Sequence, residues 1–187
     1  MKPHWMKNFY FSSLMLEYLK IHEIYEKFCF RALNGLFCFF RDSVFIINQL
    51  AHLFYFNKEQ GLSLELFQYL LQKDPYRTEN LDTYSNILFV NENAKELGAL
   101  AVDCYQNNKY CPETCCVVGN YYSMMSEHEK SIEYFKKALE LDRSFLAACT
   151  LIGHEYLELK KVSNSIDAYN SALAVDPTDF RAWYGLG

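Results

Sequence analysis

Gly119, Gly153 and Gly187 stand 34 residues apart, and the interval is not confined to glycine. It also links Tyr122 to Tyr156, Ser131 to Ser165, Phe135 to Tyr169, Ala138 to Ala172, and Cys115 through Cys149 to Trp183. A chain that repeats residue types at a fixed interval builds one small unit several times and buries the units' apolar faces on one another. Within one unit, Cys115, Val118, Gly119 and Tyr122 fall at i, i+3, i+4 and i+7, one face of a helix. Ser131, Phe135 and Ala138 do the same on a second helix. Only seven glycines and four prolines occur in 187 residues, too few for many short strands joined by tight turns.

An aromatic or bulky residue, then a small one, an aromatic, a small residue and a closing proline at period 34 is the tetratricopeptide signature. The expected fold class is therefore all-α: a right-handed superhelical solenoid of antiparallel helix pairs, each pair a helix A and a helix B. Counting back and forward from residue 112 gives a single array over 5–187. It divides into a degenerate repeat at 5–43, repeats at 44–77, 78–111, 112–145 and 146–179, and the truncated start of another at 180–187. The eighth slot is small each time: Ala51, Ser85, Gly119, Gly153, Gly187. A side chain there would hold helix B away from helix A. Leucine at Gly153 is thus expected to overpack the crossing, whereas alanine is expected to be tolerated. The slot before the closing proline is polar, as turns prefer: Asp74, Asn108, Asp142, Asp176. The chain stops at "FRAWYGLG", inside a first helix, and so is expected to be a piece of a longer array.

Charge and thiols narrow the function classes. A net charge of −5 with no basic stripe gives no nucleic-acid surface. The uncharged stretch from Val44 to Phe56 is too short for a membrane span and is interrupted by Asn48, Gln49 and His52. Seven cysteines, an odd count without a signal peptide, point to a reducing compartment. "CPETCC" at 111–116 lacks the second ligand pair that a zinc site needs, so no metal and no other cofactor is expected. Cys115 and Cys149 take the slot of Trp183, and Cys104 that of Ala138 and Ala172; these are core positions where a thiol behaves as a small hydrophobe. "GHE" at 153–155 looks like a metal or acid–base motif, but Gly153 sits in the small slot and His154 reads as a groove or interface histidine. A thiol or metal enzyme built on these two motifs is therefore rejected, and no catalytic residue is assigned.

The blocks "QKDPYRTENLDTYSNILFV", "YCPETCCVVGNYYSMMSEHEKSIEYFKKALELD" and "FRAWYGLG" are more specific than a repeat consensus. They resemble the cell-division-cycle-protein-twenty-three family, the eighth-subunit family of the anaphase-promoting complex, well over about 60–187 and more loosely over 4–60. The resemblance implies a non-catalytic scaffold in a cell-cycle ubiquitin ligase of nucleus and cytoplasm. It implies stacking with other subunits of that complex, homodimerisation through N-terminal repeats, and a groove that docks short basic segments of propeller coactivators. The alternative is a generic tetratricopeptide adaptor in another assembly.

In such arrays helix A lines the concave face, and slots five and nine point into it. The expected peptide groove is Asn48 and His52, Asp82 and Asn86, Cys116 and Asn120, Thr150 and His154, continued by Arg181 and Tyr184. Asparagine at slot nine also serves to order the neighbouring helix. A clamp for a carboxylate tail needs converging lysines or arginines. Here slots two and five supply Glu79, Asp82 and Glu113, with Arg181 only at the far end, which favours a neutral or basic peptide.

Overall fold

The computed structural model describes residues 43–187, and the degenerate repeat expected at 5–43 lies outside them save for Ser43. Among the described residues there are nine helices and no strand. They are α1 (Val44–Phe56), α2 (Gln60–Lys73), α3 (Leu81–Val90), α4 (Ala94–Asn108), α5 (Pro112–Met124), α6 (His128–Leu141), α7 (Leu146–Glu158), α8 (Val162–Val175) and α9 (Phe180–Leu186). None is long and apolar enough to cross a membrane.

Odd-numbered helices are of type A and even-numbered of type B. α6 shows the amphipathic logic. Ser131, Ile132, Phe135 and Ala138 are buried, while Glu129, Lys130, Glu133, Lys136 and Lys137 face water. α5 is enclosed on most sides: every residue from Thr114 to Asn120 is buried, because α3, α4, α6 and α7 all pack on it. Pro112 opens it at a position where a missing N–H costs nothing. The core runs along the array as a chain of clusters. One joins α1 to α5 through Ile47, Phe67, Tyr84, Leu97 and Val117; a second centres on Phe135 between α5 and α7; a third centres on Tyr169 between α7 and α9.

Each A helix turns into its B partner through three residues, and the middle one is left-handed every time. Lys58, Glu92, Ser126 and Lys160 have φ of 63, 53, 60 and 58°, again 34 residues apart. The bonding repeats too. In the third unit the amide of Glu127 donates to the carbonyl of Tyr122 and that of Ser126 to Ser123; in the first, Glu59 to Phe54 and Lys58 to Tyr55. This is the Schellman arrangement, which satisfies the last carbonyls of a helix and reverses the chain. The B-to-A connections share another device. The carbonyls of Asp74, Asn108, Asp142 and Asp176 each accept from the amide three residues on, and Asp142 and Asp176 also hold Ser144 and Thr178 by their carboxylates.

The small slot has a more specific cause than a close crossing of axes. A Cβ on Gly119 would stand 2.3 Å from the Phe135 ring, and one on Gly153 2.4 Å from the Tyr169 ring. The glycine is a seat for the B helix's aromatic ring. Both rings are fully buried, so an alanine methyl at Gly153 would have to displace the Tyr169 ring, a contact that the spacing alone does not reveal. In the first and fourth units a serine of helix B adds a bond to the same slot: Ser63 Oγ donates to the carbonyl of Ala51 at 2.7 Å, and Ser165 Oγ to that of Gly153 at 2.9 Å. Gly187 differs, with nothing within 4 Å of its added Cβ; Gly185 is the terminal glycine that meets Tyr169.

Candidate functional site

Successive A helices are tied by polar side chains at the slots expected to line the groove. The Asn120 amide donates to Ser85 Oγ and to Asn86 Oδ1, both at 2.8 Å, and Ser85 Oγ donates to the carbonyl of Asp82. One unit later, Thr150 Oγ1 donates to Asp179 Oδ2 at 3.0 Å, and the other oxygen of that buried carboxylate receives the backbone amide and the Nε of Arg181. These bonds occupy the groups that would otherwise meet a ligand. Asn48, Cys116, Asn120 and Thr150 are buried between helices and do not line an open groove as expected. Cys116 is the plainest correction: it is wholly enclosed by the helices around α5, and burial pushes its thiol well above the ordinary value. Asn48 is buried with its Oδ1 unpartnered.

The remaining expected residues keep access to solvent. His52, Asp82, Asn86, His154 and Arg181 are half-buried, and Tyr184 is exposed. The charge of Arg181 reaches both Asp82 and His154. Asp82 lies in the first turn of α3, where a helix N-terminus favours negative charge. Its carboxyl is nevertheless held above the usual carboxylate range, first by burial and further by the charge of Glu113; the Thr83 amide and Arg181 oppose the shift. Tyr55, from α1, is raised by burial and feels both Arg181 and Asp82. His154 is lowered by burial first and by Arg181 second. Tyr55, Asp82, Glu113, His154 and Arg181 thus share one field, with two carboxylates near the middle and one guanidinium at the α9 end. Neither Asp82 nor Glu113 has a salt bridge among the described residues. Glu113 is bonded by the Cys111 thiol at 2.6 Å. Opposite charge placed beside Asp82 would favour its ionised form, which burial disfavours.

Each of Gly153, His154 and Glu155 has a structural partner. Gly153 seats Tyr169 and accepts from Ser165. The phenol of Tyr169 lies 2.7 Å from His154 Nδ1, which the lowered pKa leaves neutral and able to accept. Glu155 is buried and binds Ser123 Oγ at 2.6 Å and His128 Nδ1 at 2.8 Å. Serine, histidine and carboxylate do converge here, but both partners bond the carboxylate and not each other. A nucleophile needs the base at its side, so the trio is a clamp between the third and fourth units. Sequence reasoning passed over it. The signal was available: the slot of Glu155 carries Tyr121 and Ile87 in the preceding units, and a charge at an apolar slot marks a buried partner. Asp179 was also missed, and the period does not flag it, since 34 residues earlier stands Phe145.

Five free cysteines lie among the described residues. Burial raises all of their thiols, Cys104 to about 11, and a raised thiol is a poor nucleophile and a poor metal ligand at neutral pH. Among the described residues no three His, Cys, Asp or Glu side chains converge as metal ligands would.

Comparison with known proteins fits this geometry. A model described as "Tetratricopeptide repeat" matches residues 112–145 and one described as "TPR repeat" matches 153–187. The chain is 44% identical over 163 residues to "Anaphase-promoting complex subunit 8" of Dictyostelium discoideum, covering 86% of this chain and 26% of that protein. It is 44% identical over 158 residues to the protein of the same name from Arabidopsis thaliana, covering 84% and 26%. It is 38% identical over 161 residues to "Anaphase-promoting complex subunit CDC23" of Saccharomyces cerevisiae, covering 83% and 26%. The chain therefore spans about a quarter of the length of these curated relatives. Among solved structures, "Crystal structure of APC/C hetero-tetramer Cut9-Hcn1" matches with a TM-score of 0.62 at 20% identity, over 66% of this chain and 25% of that one. That likeness is one of fold.

Proposed function

We propose that this chain, a tetratricopeptide-repeat relative of subunit 8 of the anaphase-promoting complex, is a non-catalytic scaffold segment of that cell-cycle ubiquitin ligase in nucleus and cytoplasm. It stacks on other subunits of the complex and offers its concave wall to short basic segments of propeller coactivators; homodimerisation rests on repeats toward the N-terminus. The observation that carries the assignment is the 44% identity over 163 residues to a named subunit 8. A generic adaptor in another assembly is disfavoured on that ground.

The docking role rests on the wall itself. Asp82 and Glu113 are acidic, the charge of Glu113 reaches Asp82, and neither has a salt bridge among the described residues. A guanidinium from a peptide supplies charge and a planar pair of donors that carboxylate and amide oxygens accept. The array provides rigid placement and no chemistry of its own.

Assembly is tested by expressing the tagged full-length protein in its own cells and identifying what co-purifies. Other subunits of the anaphase-promoting complex should be recovered in comparable amounts. Recovery of a different assembly, with no subunit of this one, would contradict the proposal.

A further inference from the structure

The groove uses one side of α5, and the opposite side carries a second recess. By the rotation of about 100° per residue in a helix, Glu113, Cys116 and Asn120 point one way while Thr114, Cys115 and Val118 point about 180° away. The second set floors a cleft of about 380 Å³ between α4 and α6. Tyr105, Lys109 and Tyr110 form one wall, and Tyr134, Lys137, Glu140 and Leu141 the other. Three features separate it from an ordinary crevice between helices.

Its lining is aromatic and accessible: Tyr105 and Tyr110 are 49% and 78% exposed. Its rim is cationic in a chain of net charge −5. Lys109 lies 4.8 Å from the Tyr110 ring centre and Lys137 4.4 Å from that of Tyr134, and neither pairs with a carboxylate among the described residues. Glu140 is the single acidic residue in the lining. In its wall, Thr114 is 1% exposed and its hydroxyl has no hydrogen-bond partner, a cost that buried polar groups rarely carry without a reason.

We propose that this cleft docks an extended acidic segment of a partner protein, with one apolar side chain seated among Tyr105, Tyr134 and Val118 and flanking carboxylates on Lys109 and Lys137. The volume holds one large side chain and its neighbours rather than a helix. The lysines already rest on tyrosine rings, so their ammonium groups are positioned before the segment arrives, which lowers the ordering cost of binding. The surface is independent of the acidic wall. One array would thus hold a basic segment on its inner side and an acidic one on its outer side, with α5 as the shared partition.

The test uses the 187-residue chain with labelled methyl groups. The probe is a seven-residue synthetic peptide with one central phenylalanine and three acidic residues on each side; its twin has lysine at every acid. With the acidic peptide, the Thr114, Val118 and Leu141 signals should shift and saturate while Thr150 stays fixed. Lys109→Glu with Lys137→Glu should raise Kd at least tenfold; both residues are exposed, so the variant should keep its helical spectrum, and the glutamine pair serves as a milder second variant. No shift at millimolar peptide, an equal response to the basic twin, or no change in Kd with either lysine pair altered would overturn the proposal. Shifts of the same methyls on raising protein concentration without peptide would also overturn it, because a second copy of the chain would then be the occupant.

Discussion

Gly153 packs against Tyr169 so closely that its missing Cβ is a structural requirement. Gly153→Ala should therefore destabilise by about 1–3 kcal/mol, the usual cost of overpacking a core that cannot relax. Gly61→Ala is the control. Nothing lies within 4 Å of a Cβ there, and better helix propensity should stabilise by about 0.5 kcal/mol. Denaturant midpoints of the two variants should move in opposite directions; equal, small effects would mean that the ring can shift aside. Asp82 makes the converse case. Its carboxyl is raised above the unfolded value, so the folded protein carries no penalty from it at acid pH, where the group is neutral in both states. The penalty appears as pH rises through the folded value and is complete above it. Asp82→Asn should thus raise the thermal midpoint by a few degrees at pH 7 and leave it unchanged at pH 3. His154 has the opposite sign: its neutral form is favoured, so its contribution is present above the unfolded value and declines as pH falls below it.

At the scale of elements, the helices were legible from the sequence because two apolar faces recur at one period. The turns between A and B helices were not. They require a left-handed residue, and Lys58, Glu92, Ser126 and Lys160 supply it without a single glycine or one residue type common to all four to announce it. Each bears a steric cost that glycine would avoid. Ser126→Gly should accordingly stabilise by about 0.5–1 kcal/mol, measured by urea unfolding, and Ser126→Val should destabilise. The two sides of α5 explain a further gap. Slot arithmetic directs Cys116 and Asn120 into an open groove, but it carries no information on how closely the neighbouring A helices approach. They approach closely enough to bury both, and the asparagine ties units together instead of waiting for a ligand.

For the whole molecule, the solenoid follows from the 34-residue spacing, whereas the electrical reach of Arg181 to Tyr55 and Asp82, 126 and 99 positions earlier, comes from how the helices stack. No periodic reading of the chain yields that proximity. It does bear on the central claim, that the concave wall selects basic segments by the charge of Asp82 and Glu113. The most direct measurement is the affinity of a basic, arginine-containing coactivator peptide for the wild-type chain, for Asp82→Lys and for Glu133→Lys, at fixed ionic strength. One charge-assisted contact is worth about 1.5–3 kcal/mol, so Asp82→Lys should weaken binding tenfold or more. Glu133→Lys makes the same change in net charge on the exposed face of α6 and should leave affinity within about twofold, the scale of a remote surface charge. Equal losses from both variants, or none from Asp82→Lys, would contradict a docking site on this wall.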